Sequence, residues 1–277
     1  MKKHILYALT SLFIFSSCAK DKKDAIITIK TSYGDMKVLL YEETPLHKAN
    51  FIKLAEEGQY DSTVFHRIIK EFMIQGGNVD EKNGTQSNET IKAEIVDGFY
   101  HEKGALAAAR QGDRVNPEKA SSWCQFYLIH GKTFSEAELT VDQRKLNQAV
   151  SQLMQYESHA DLRDQFMELQ KNKDFEGMNK LALECVGLAE KELNIKLKKD
   201  ISPERLKLYT EVGGAPHLDG EYTVFGKVVE GLEVVDKIAE VETGRADRPT
   251  EPIYLSMEIE RISKKKITKM YGYEYPE

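Results

Sequence analysis

The sequence has few cysteines, and its histidines are not grouped. Only three of the 277 residues are cysteine, which is too few for a disulfide framework. Apart from Cys18, the two others are Cys124 and Cys185, which could form one bridge in an oxidising compartment or stay as free thiols. None of the seven histidines falls in a spacing typical of metal sites. We therefore expect neither a disulfide-stabilised scaffold nor a metal or other cofactor.

Positive charge and long apolar runs are also scarce. The 39 lysines and arginines are outnumbered by 45 acidic residues, which gives a formal net charge of −6. This acidic balance argues against nucleic acid as a partner. After residue 17, no apolar run is long enough to span a membrane.

The N-terminus has the composition of a secretory signal. Two lysines precede an apolar run over residues 5–15, and two serines lead directly into Cys18. This order resembles the bacterial lipoprotein signal, which implies that residues 1–17 are removed and that Cys18 is acylated. Residues 18–24 would then be the lipidated cysteine and a charged tether. An ordinary signal peptide with an incidental cysteine is the alternative. We expect a membrane-anchored lipoprotein outside the cytoplasm, in the periplasm or at the cell surface.

Residues 65–77 gather an arginine, an amide and large apolar side chains in a predicted β-hairpin. Alternation along the first strand is expected to place Phe65, Arg67 and Ile69 on one face. After a turn, the second strand brings back three further candidates, Phe72, Met73 and Gln75. A cation, an apolar surface and an amide can therefore converge within a few ångströms. An ordinary hairpin with Arg67 solvated at its edge is the alternative that this pattern leaves open.

This stretch and several other blocks resemble the cyclophilin family of peptidyl-prolyl cis-trans isomerases. The blocks are Thr44-Pro45 with Asn50-Phe51, Phe65-His66-Arg67, Phe72 to Gly77, Gly104-Ala105-Leu106, Ala109-Arg110, Gln125-Phe126-Tyr127, Leu218-Asp219-Gly220 and Val224-Phe225-Gly226. Several matches in the family's order are far more specific than any one of them. The resemblance implies a mainly β fold with helices, in which a closed eight-stranded antiparallel barrel is capped by two helices. Residues 25–132 and 213–265 would form the barrel, and residues 266–277 a C-terminal tail.

The resemblance also implies an active site for proline-containing polypeptides. Arg67 would donate toward the twisted prolyl amide, and Gln75 would orient Arg67. The residues implied to bind substrate are His66, Phe72, Met73, Ala109, Arg110, Gln125, Phe126, Tyr127, His217, Leu218 and Tyr222. The implied site holds no metal and no cofactor, and the protein is expected to be a monomer.

Three site positions depart from the best-known eukaryotic members. His217 stands where those members have tryptophan, which weakens the expectation of tight cyclosporin binding. Tyr222 replaces a histidine and Tyr127 replaces a phenylalanine, so the pocket rim stays aromatic but changes in polarity.

Residues 133–212 also depart from the family pattern. A typical cyclophilin has only a few residues here, whereas roughly eighty intervene in this chain. Thr140 with Gln143 forms a potential capping box, and apolar residues at helical spacing follow it. We expect an all-α insertion with a small core of its own. Because its ends flank the implied proline pocket, the insertion could hold client polypeptides, or it could be a structural elaboration.

Two functions are compatible with these observations. The first is a peptidyl-prolyl cis-trans isomerase that assists the folding of exported proteins from its membrane anchor. The second is a cyclophilin-like binding or chaperone module in which turnover is incidental, because fold alone does not determine function. The joint presence of Arg67, Phe72, Met73 and Gln75 favours the enzyme.

Overall fold

The computed structural model describes residues 22–276. The predicted signal peptide, Cys18 and the first part of the tether lie outside this range. The strands are β1 Lys23–Thr31, β2 Gly34–Leu40, β3 Thr63–Phe65, β4 Arg67–Ile69, β5 Met73–Gly76, β6 Thr90–Ile91, β7 Ala105–Ala108, β8 Ser121–Ser122, β9 Phe126–Ile129, β10 Val224–Glu230 and β11 Ile253–Ser263. The α-helices are α1 Pro45–Glu56, α2 Val79–Asn83, α3 Glu136–Thr140, α4 Gln143–Leu153, α5 Ala160–Lys171, α6 Phe175–Glu184, α7 Val186–Leu193, α8 Pro203–Glu211, α9 Leu232–Ala239 and α10 Lys264–Tyr271.

Nine strands form one antiparallel sheet, in the order β3-β11-β1-β2-β10-β7-β9-β5-β4. The first and last strands of this order, β3 and β4, are separated in the chain only by His66. The sheet therefore closes on itself, because the segment 63–69 pairs with β11 through its first half and with β5 through its second half. If this interrupted segment is counted as one strand, the barrel has the predicted eight strands. The expected fold class is confirmed.

The interruption at His66 changes which side chains point inward. Phe65 and Ile68 both lie in the barrel interior, whereas Ile69 packs in a cluster on the outer face and Arg67 is partly exposed. The prediction that Phe65 shares a face with Arg67 and Ile69 is therefore wrong. The residue between the two short strands resets the alternation of side chains.

The barrel interior is filled by aromatic and aliphatic side chains. The ring of Phe51 lies 5.1 Å from that of Tyr60, 5.3 Å from that of Phe126 and 5.3 Å from that of Phe225. Such pairs add to the free energy gained by burying apolar surface. Helices α1 and α9 both contribute buried side chains to this core, so two helices cap the barrel, as predicted.

The insertion contains helices α3 to α8 and has a separate hydrophobic core. Leu146, Phe166 and Leu197 are buried in this core together with other residues of the insertion. The core holds no barrel residue among those that the structure describes. The insertion can therefore gain hydrophobic stabilisation independently of the barrel.

The capping residues of the insertion differ from the prediction. Thr140 ends α3 rather than starting a helix, and Ser135 and Glu138 form the capping box of α3. Helix α4 is capped by Asp142, whose carboxylate accepts the backbone N–H of Lys145 at 3.0 Å. The predicted box at Thr140 and Gln143 is therefore wrong. An aspartate one residue before the helix supplies the acceptor instead.

The two ends of the insertion meet at a close crossing. Lys132 and Gly214 exchange backbone hydrogen bonds of 3.3 and 2.9 Å. A Cβ atom at Gly214 would lie 2.1 Å from the carbonyl oxygen of His101, and φ at this residue is +151°. Only glycine fits this position without displacing the backbone.

The two cysteines within the described range are buried free thiols. Cys124 lies in the barrel core and Cys185 in the core of the insertion. Burial raises the pKa of both thiols. Of the two states left open by the sequence, the structure has the unbridged one.

Both ends of the described chain are packed against the barrel. Lys23 and Asp24 are the first residues of β1 and not part of the predicted tether. The Asp24 carboxylate accepts hydrogen bonds from Lys48 at 2.6 Å and Tyr275 at 3.0 Å. In the segment predicted as a tail, α10 follows β11 directly, and Tyr273 is buried against the outer face. Among residues 22–276, no helix combines the length and apolar composition needed to cross a membrane.

Candidate active site

An apolar surface lies on the outer face of the barrel, where β5 pairs with β9. Gln75 lies opposite Tyr127 in this pair. Because side chains alternate along a strand, Met73, Gln75 and Tyr127 project to the same side. Phe72 and Leu218 pack in the same outer cluster as Met73 and Tyr127. Four of the residues implied to bind substrate, Phe72, Met73, Tyr127 and Leu218, are therefore brought together.

Phe126 does not line this surface. Its side chain is 1 % exposed, and its ring packs against Phe51 and Tyr60 inside the barrel. The prediction that Phe126 binds substrate is therefore wrong for its side chain. Alternation along β9 turns this residue inward and its neighbour Tyr127 outward.

Arg67 lies beside the apolar surface, on the strand next to β5. Its backbone is paired with that of Gln75, and its side chain is 43 % exposed. Its Nε donates a hydrogen bond of 3.3 Å to Oδ2 of Asp247. Within residues 22–276, neither Nη atom is hydrogen-bonded. The outer edge of the guanidinium is therefore open to a ligand, while Nε holds its direction.

Gln75 does not orient Arg67 through a hydrogen bond, in contrast to the implied role. Its Nε2 donates to Oε1 of Gln125 at 3.0 Å. A carboxylate forms a stronger, charge-assisted hydrogen bond to a guanidinium than an amide does. The side-chain partner of Arg67 is therefore Asp247, and Gln75 pairs with Gln125, the residue before β9.

Asp247 is a candidate site residue that the sequence alone does not reveal. This residue ends the 3₁₀ turn Arg245–Asp247, and both Ala246 and Asp247 have left-handed backbone conformations, with φ of 60° and 58°. An aspartate tolerates this conformation better than most residues do. No motif points to the residue, because it lies 180 positions from Arg67 in the chain.

The hydroxyl of Tyr127 points into the protein rather than to the rim. It is 3.1 Å from Nε2 of His101, a residue whose side chain is fully buried. Burial raises the pKa of Tyr127 well above its usual value. The expectation that Tyr127 changes the polarity of the rim is therefore wrong, because a buried imidazole pairs with its polar group.

Asp219 links this buried pair to the insertion. Its Oδ1 is 3.1 Å from Nδ1 of His101, and its Oδ2 accepts hydrogen bonds from Tyr209 at 2.7 Å and Arg205 at 2.9 Å. Burial alone would raise the pKa of Asp219, but hydrogen bonds from His101 and Tyr209 hold this pKa below its usual value. Because Arg205 and Tyr209 belong to α8, the insertion is tied to residues that support the apolar surface.

The rim of the apolar surface is aromatic. The rings of Phe72 and His217 lie 5.2 Å apart. Burial lowers the pKa of His217, so its ring is neutral near pH 7. On another side of the surface, the guanidinium of Arg110 lies 4.4 Å from the ring centroid of Tyr222. The side chain of Arg110 donates to the backbone oxygen of Glu221 at 2.8 Å, so it shapes the rim rather than offering a free charge.

A cavity of about 390 Å³ borders the apolar surface on the side of Gln75. Ala109, Arg110 and Gln125 line it, so three more predicted site residues lie next to the surface. His66 is partly buried: burial lowers its pKa, and its Nδ1 has no hydrogen-bond partner in the described part of the chain. No group of three or more potential metal-ligating side chains occurs between residues 22 and 276.

Comparison with known families identifies this arrangement. The family described as cyclophilin type peptidyl-prolyl cis-trans isomerase/CLD matches residues 26–148 and 192–259. The chain belongs to the cyclophilin family. This cyclophilin is therefore a member of an enzyme family that isomerises peptidyl-prolyl bonds, and the resemblance drawn from its sequence motifs is confirmed. The stretch between the two matched parts, 149–191, falls inside the insertion.

Individual relatives agree with this assignment. A peptidyl-prolyl cis-trans isomerase of Acinetobacter baylyi is 24 % identical over 270 residues, which cover 95 % of this cyclophilin and 98 % of the relative. A protein of Streptococcus pyogenes, named as a bifunctional phosphatase/peptidyl-prolyl cis-trans isomerase, is 32 % identical over 83 % of this chain, which spans only 37 % of that relative. The crystal structure of a cyclophilin from Cryptosporidium parvum aligns with a TM-score of 0.50 at 19 % identity, over 86 % of this chain and 98 % of that one. This structural similarity, at low sequence identity, supports the cyclophilin fold alone.

Proposed function

We propose that this cyclophilin is anchored by a lipid outside the cytoplasm and isomerises prolyl bonds in exported proteins as they fold. The observation that supports catalysis at this site is the position of Arg67, whose open guanidinium edge lies beside the apolar surface of Phe72, Met73, Tyr127 and Leu218. The proposed location rests on the N-terminal sequence that ends in Cys18.

Prolyl isomerisation needs no covalent chemistry. The barrier is about 18–20 kcal/mol because amide resonance is lost when the bond twists, and uncatalysed exchange takes tens of seconds or longer. A catalyst must therefore bind the twisted amide more tightly than the planar one. In our proposal, the apolar surface holds the proline ring while groups beside it act on the amide.

Arg67 is the group that we assign to the twisted amide. A guanidinium N–H directed at the prolyl nitrogen region favours a pyramidal nitrogen, whose lone pair is no longer conjugated with the carbonyl. Arginine suits this role because its planar fork stays charged and keeps a fixed direction. The hydrogen bond from Nε to Asp247 supports that direction and leaves the Nη atoms for substrate.

The proposed anchor would hold the folded body close to a membrane. Strand β1 begins at Lys23. From Cys18, the chain therefore has about five residues before the barrel, which reach about 17 Å when extended. Acyl chains contribute about 0.8 kcal/mol per buried CH₂ and need no transmembrane helix.

A protease-coupled isomerisation assay on an alanyl-prolyl tetrapeptide tests the proposed activity. The soluble fragment should begin at residue 19, because this start removes Cys18 and keeps all of β1, including the buried Asp24 that pairs with Lys48. We expect acceleration well above the uncatalysed rate. If the folded fragment binds proline-containing peptides but leaves their isomerisation rate unchanged, the protein is a binding module instead.

A role on exported clients requires a second measurement. The membrane-anchored protein should accelerate refolding of a secreted protein whose folding is limited by proline isomerisation. An active enzyme that fractionates with the cytoplasm would refute the proposed location and leave the proposed chemistry in place.

A further inference from the structure

A second groove, which shares no lining residue with the Gln75 cavity, lies beside His217. It has a volume of about 620 Å³ and runs between the insertion and the 3₁₀ turn Pro216–Leu218. Leu139 and Ile201 line it from the insertion, and Pro216 and His217 line it from the barrel. The volume is within the range of sites that hold several side chains of a ligand.

The groove is continuous with the apolar surface through one residue. His217 lines the groove, and its ring also lies 5.2 Å from that of Phe72 on the apolar surface. A chain whose proline occupies the surface would therefore have two paths, one toward Gln75 and Gln125 and one past His217.

The charged side chains of the groove are largely engaged within the protein. Asp142 accepts the backbone N–H of Lys145 at the start of α4, and Glu138 accepts hydrogen bonds from Ser135. Arg205 pairs with Asp219. The fourth charged side chain of the lining, that of Lys199, is exposed and has no ion pair within residues 22–276. Beside it, the partly exposed Phe134, Ile201 and Pro216 offer an apolar surface, which suits an apolar side chain.

The groove is also fixed relative to the proline-binding surface. Arg205 of α8 donates to Asp219 at 2.9 Å and to the carbonyl oxygen of Pro216 at 2.7 Å. Both acceptors flank Leu218, which belongs to the apolar surface. A ligand that spans the two sites would therefore meet a preorganised arrangement, which lowers the entropy cost of the second contact.

We propose that this groove binds the part of the substrate polypeptide that flanks the isomerised proline on one side, with preference for an apolar side chain. The proposal rests on the proposed function, since it assumes that the substrate proline occupies the apolar surface. It makes the insertion an extension of the substrate site, which typical cyclophilins with a short connection would lack. The groove would let the enzyme select unfolded chains over short peptides.

The test compares peptides that share one alanyl-prolyl bond. One peptide is a tetrapeptide, and two others are extended by about six residues that include a leucine, either before or after the proline; such an extension reaches about 20 Å. Exchange spectroscopy by NMR gives the catalysed rate for each peptide with the full-length protein in detergent. We expect one of the two extensions to lower KM about tenfold, which corresponds to about 1.4 kcal/mol.

Two matched variants locate the effect. Ile201→Ser changes an apolar residue of the groove, and Met167→Ser changes one on α5 that is 60 % exposed and does not line the groove. For Ile201→Ser, the KM ratio of tetrapeptide to extended peptide should fall from about ten to about one. For Met167→Ser, the ratio should stay at its wild-type value.

The outcomes separate this inference from the proposed function. If the wild-type protein turns over the tetrapeptide but neither extension changes KM, the groove does not bind substrate. The same conclusion follows if Ile201→Ser and Met167→Ser keep equal ratios. If no peptide is isomerised, the proposed function fails first. Each KM ratio compares two peptides on the same protein sample. A loss of folded protein therefore affects both measurements alike and cannot imitate the expected fall in the ratio.

Discussion

Replacing Asp219 by alanine should destabilise the protein far more than an ordinary surface substitution does. The carboxylate accepts hydrogen bonds from the backbone N–H of His101, the hydroxyl of Tyr209 and Nε of Arg205, at 2.9, 2.7 and 2.9 Å. His101 and Tyr209 are 0 % exposed, so water does not readily replace the lost acceptor. Each buried donor left unpaired costs about 1–3 kcal/mol. The partly exposed Arg205 adds less, because solvent screens it.

The expected loss in the free energy of unfolding is therefore about 3–5 kcal/mol, the range for breaking a buried charged pair. Glu221→Ala is the matched control: this neighbouring carboxylate is 42 % exposed, pairs with Arg110 and Lys119, and should contribute less than about 1 kcal/mol. Urea unfolding of the fragment that begins at residue 19, followed by tyrosine fluorescence and circular dichroism, measures both values. A loss for Asp219→Ala within about 1 kcal/mol of the control would refute the assignment of this carboxylate as the link between α8 and the pocket.

Three further predictions concern the site, the pH dependence and the anchor. Asp247→Ala should lower kcat/KM on the tetrapeptide severalfold, but less than Arg67→Ala does. The variant keeps the guanidinium of Arg67 and loses only the hydrogen bond that fixes its direction, so equal losses would contradict a positioning role for Asp247. Burial lowers the pKa of His47 and His66 from the value of about 6.5 in the unfolded chain, so the unfolded state binds more protons and the free energy of unfolding should fall below about pH 6.5. Constant or rising stability between pH 7 and 5 in urea titrations would oppose this reasoning. Cys18→Ala should release the protein from membranes or leave the signal uncleaved, as fractionation and mass measurement would show; a processed, membrane-bound variant would exclude lipidation at Cys18 as the anchor.

The fold could be inferred from the sequence because the evidence for it is local and repeated. The blocks of residues match the family in order along the chain. Within each block, the alternation of side chains along the strand indicates which residues face the core. The same local reasoning predicted that Arg67, Met73 and Gln75 converge, and Arg67 lies opposite Gln75 in the β4–β5 pair. It failed for Phe65, because one residue between β3 and β4 shifts the alternation and no composition signal marks that break.

The parts of the site that could not be predicted depend on contacts between distant segments. Asp247 meets Arg67 only because a turn near the C-terminus folds back onto β4. His101 pairs with the hydroxyl of Tyr127, and Arg205 reaches Asp219 from the insertion. Side-chain partners of this kind follow from the assembled fold, not from the spacing of residues along one strand.

The most direct test of the account is the isomerisation rate of Arg67 variants. Arg67→Ala should retain the fold and lose about 10²–10³ in kcat/KM on the tetrapeptide, the range for removal of one transition-state donor. Arg67→Lys should recover little, because a point charge on a flexible stem lacks the guanidinium fork. Arg248→Ala is the control, since this exposed arginine pairs with Glu81 outside the apolar surface and should keep wild-type turnover. Wild-type turnover in both Arg67 variants would contradict the central claim that this guanidinium acts on the prolyl bond.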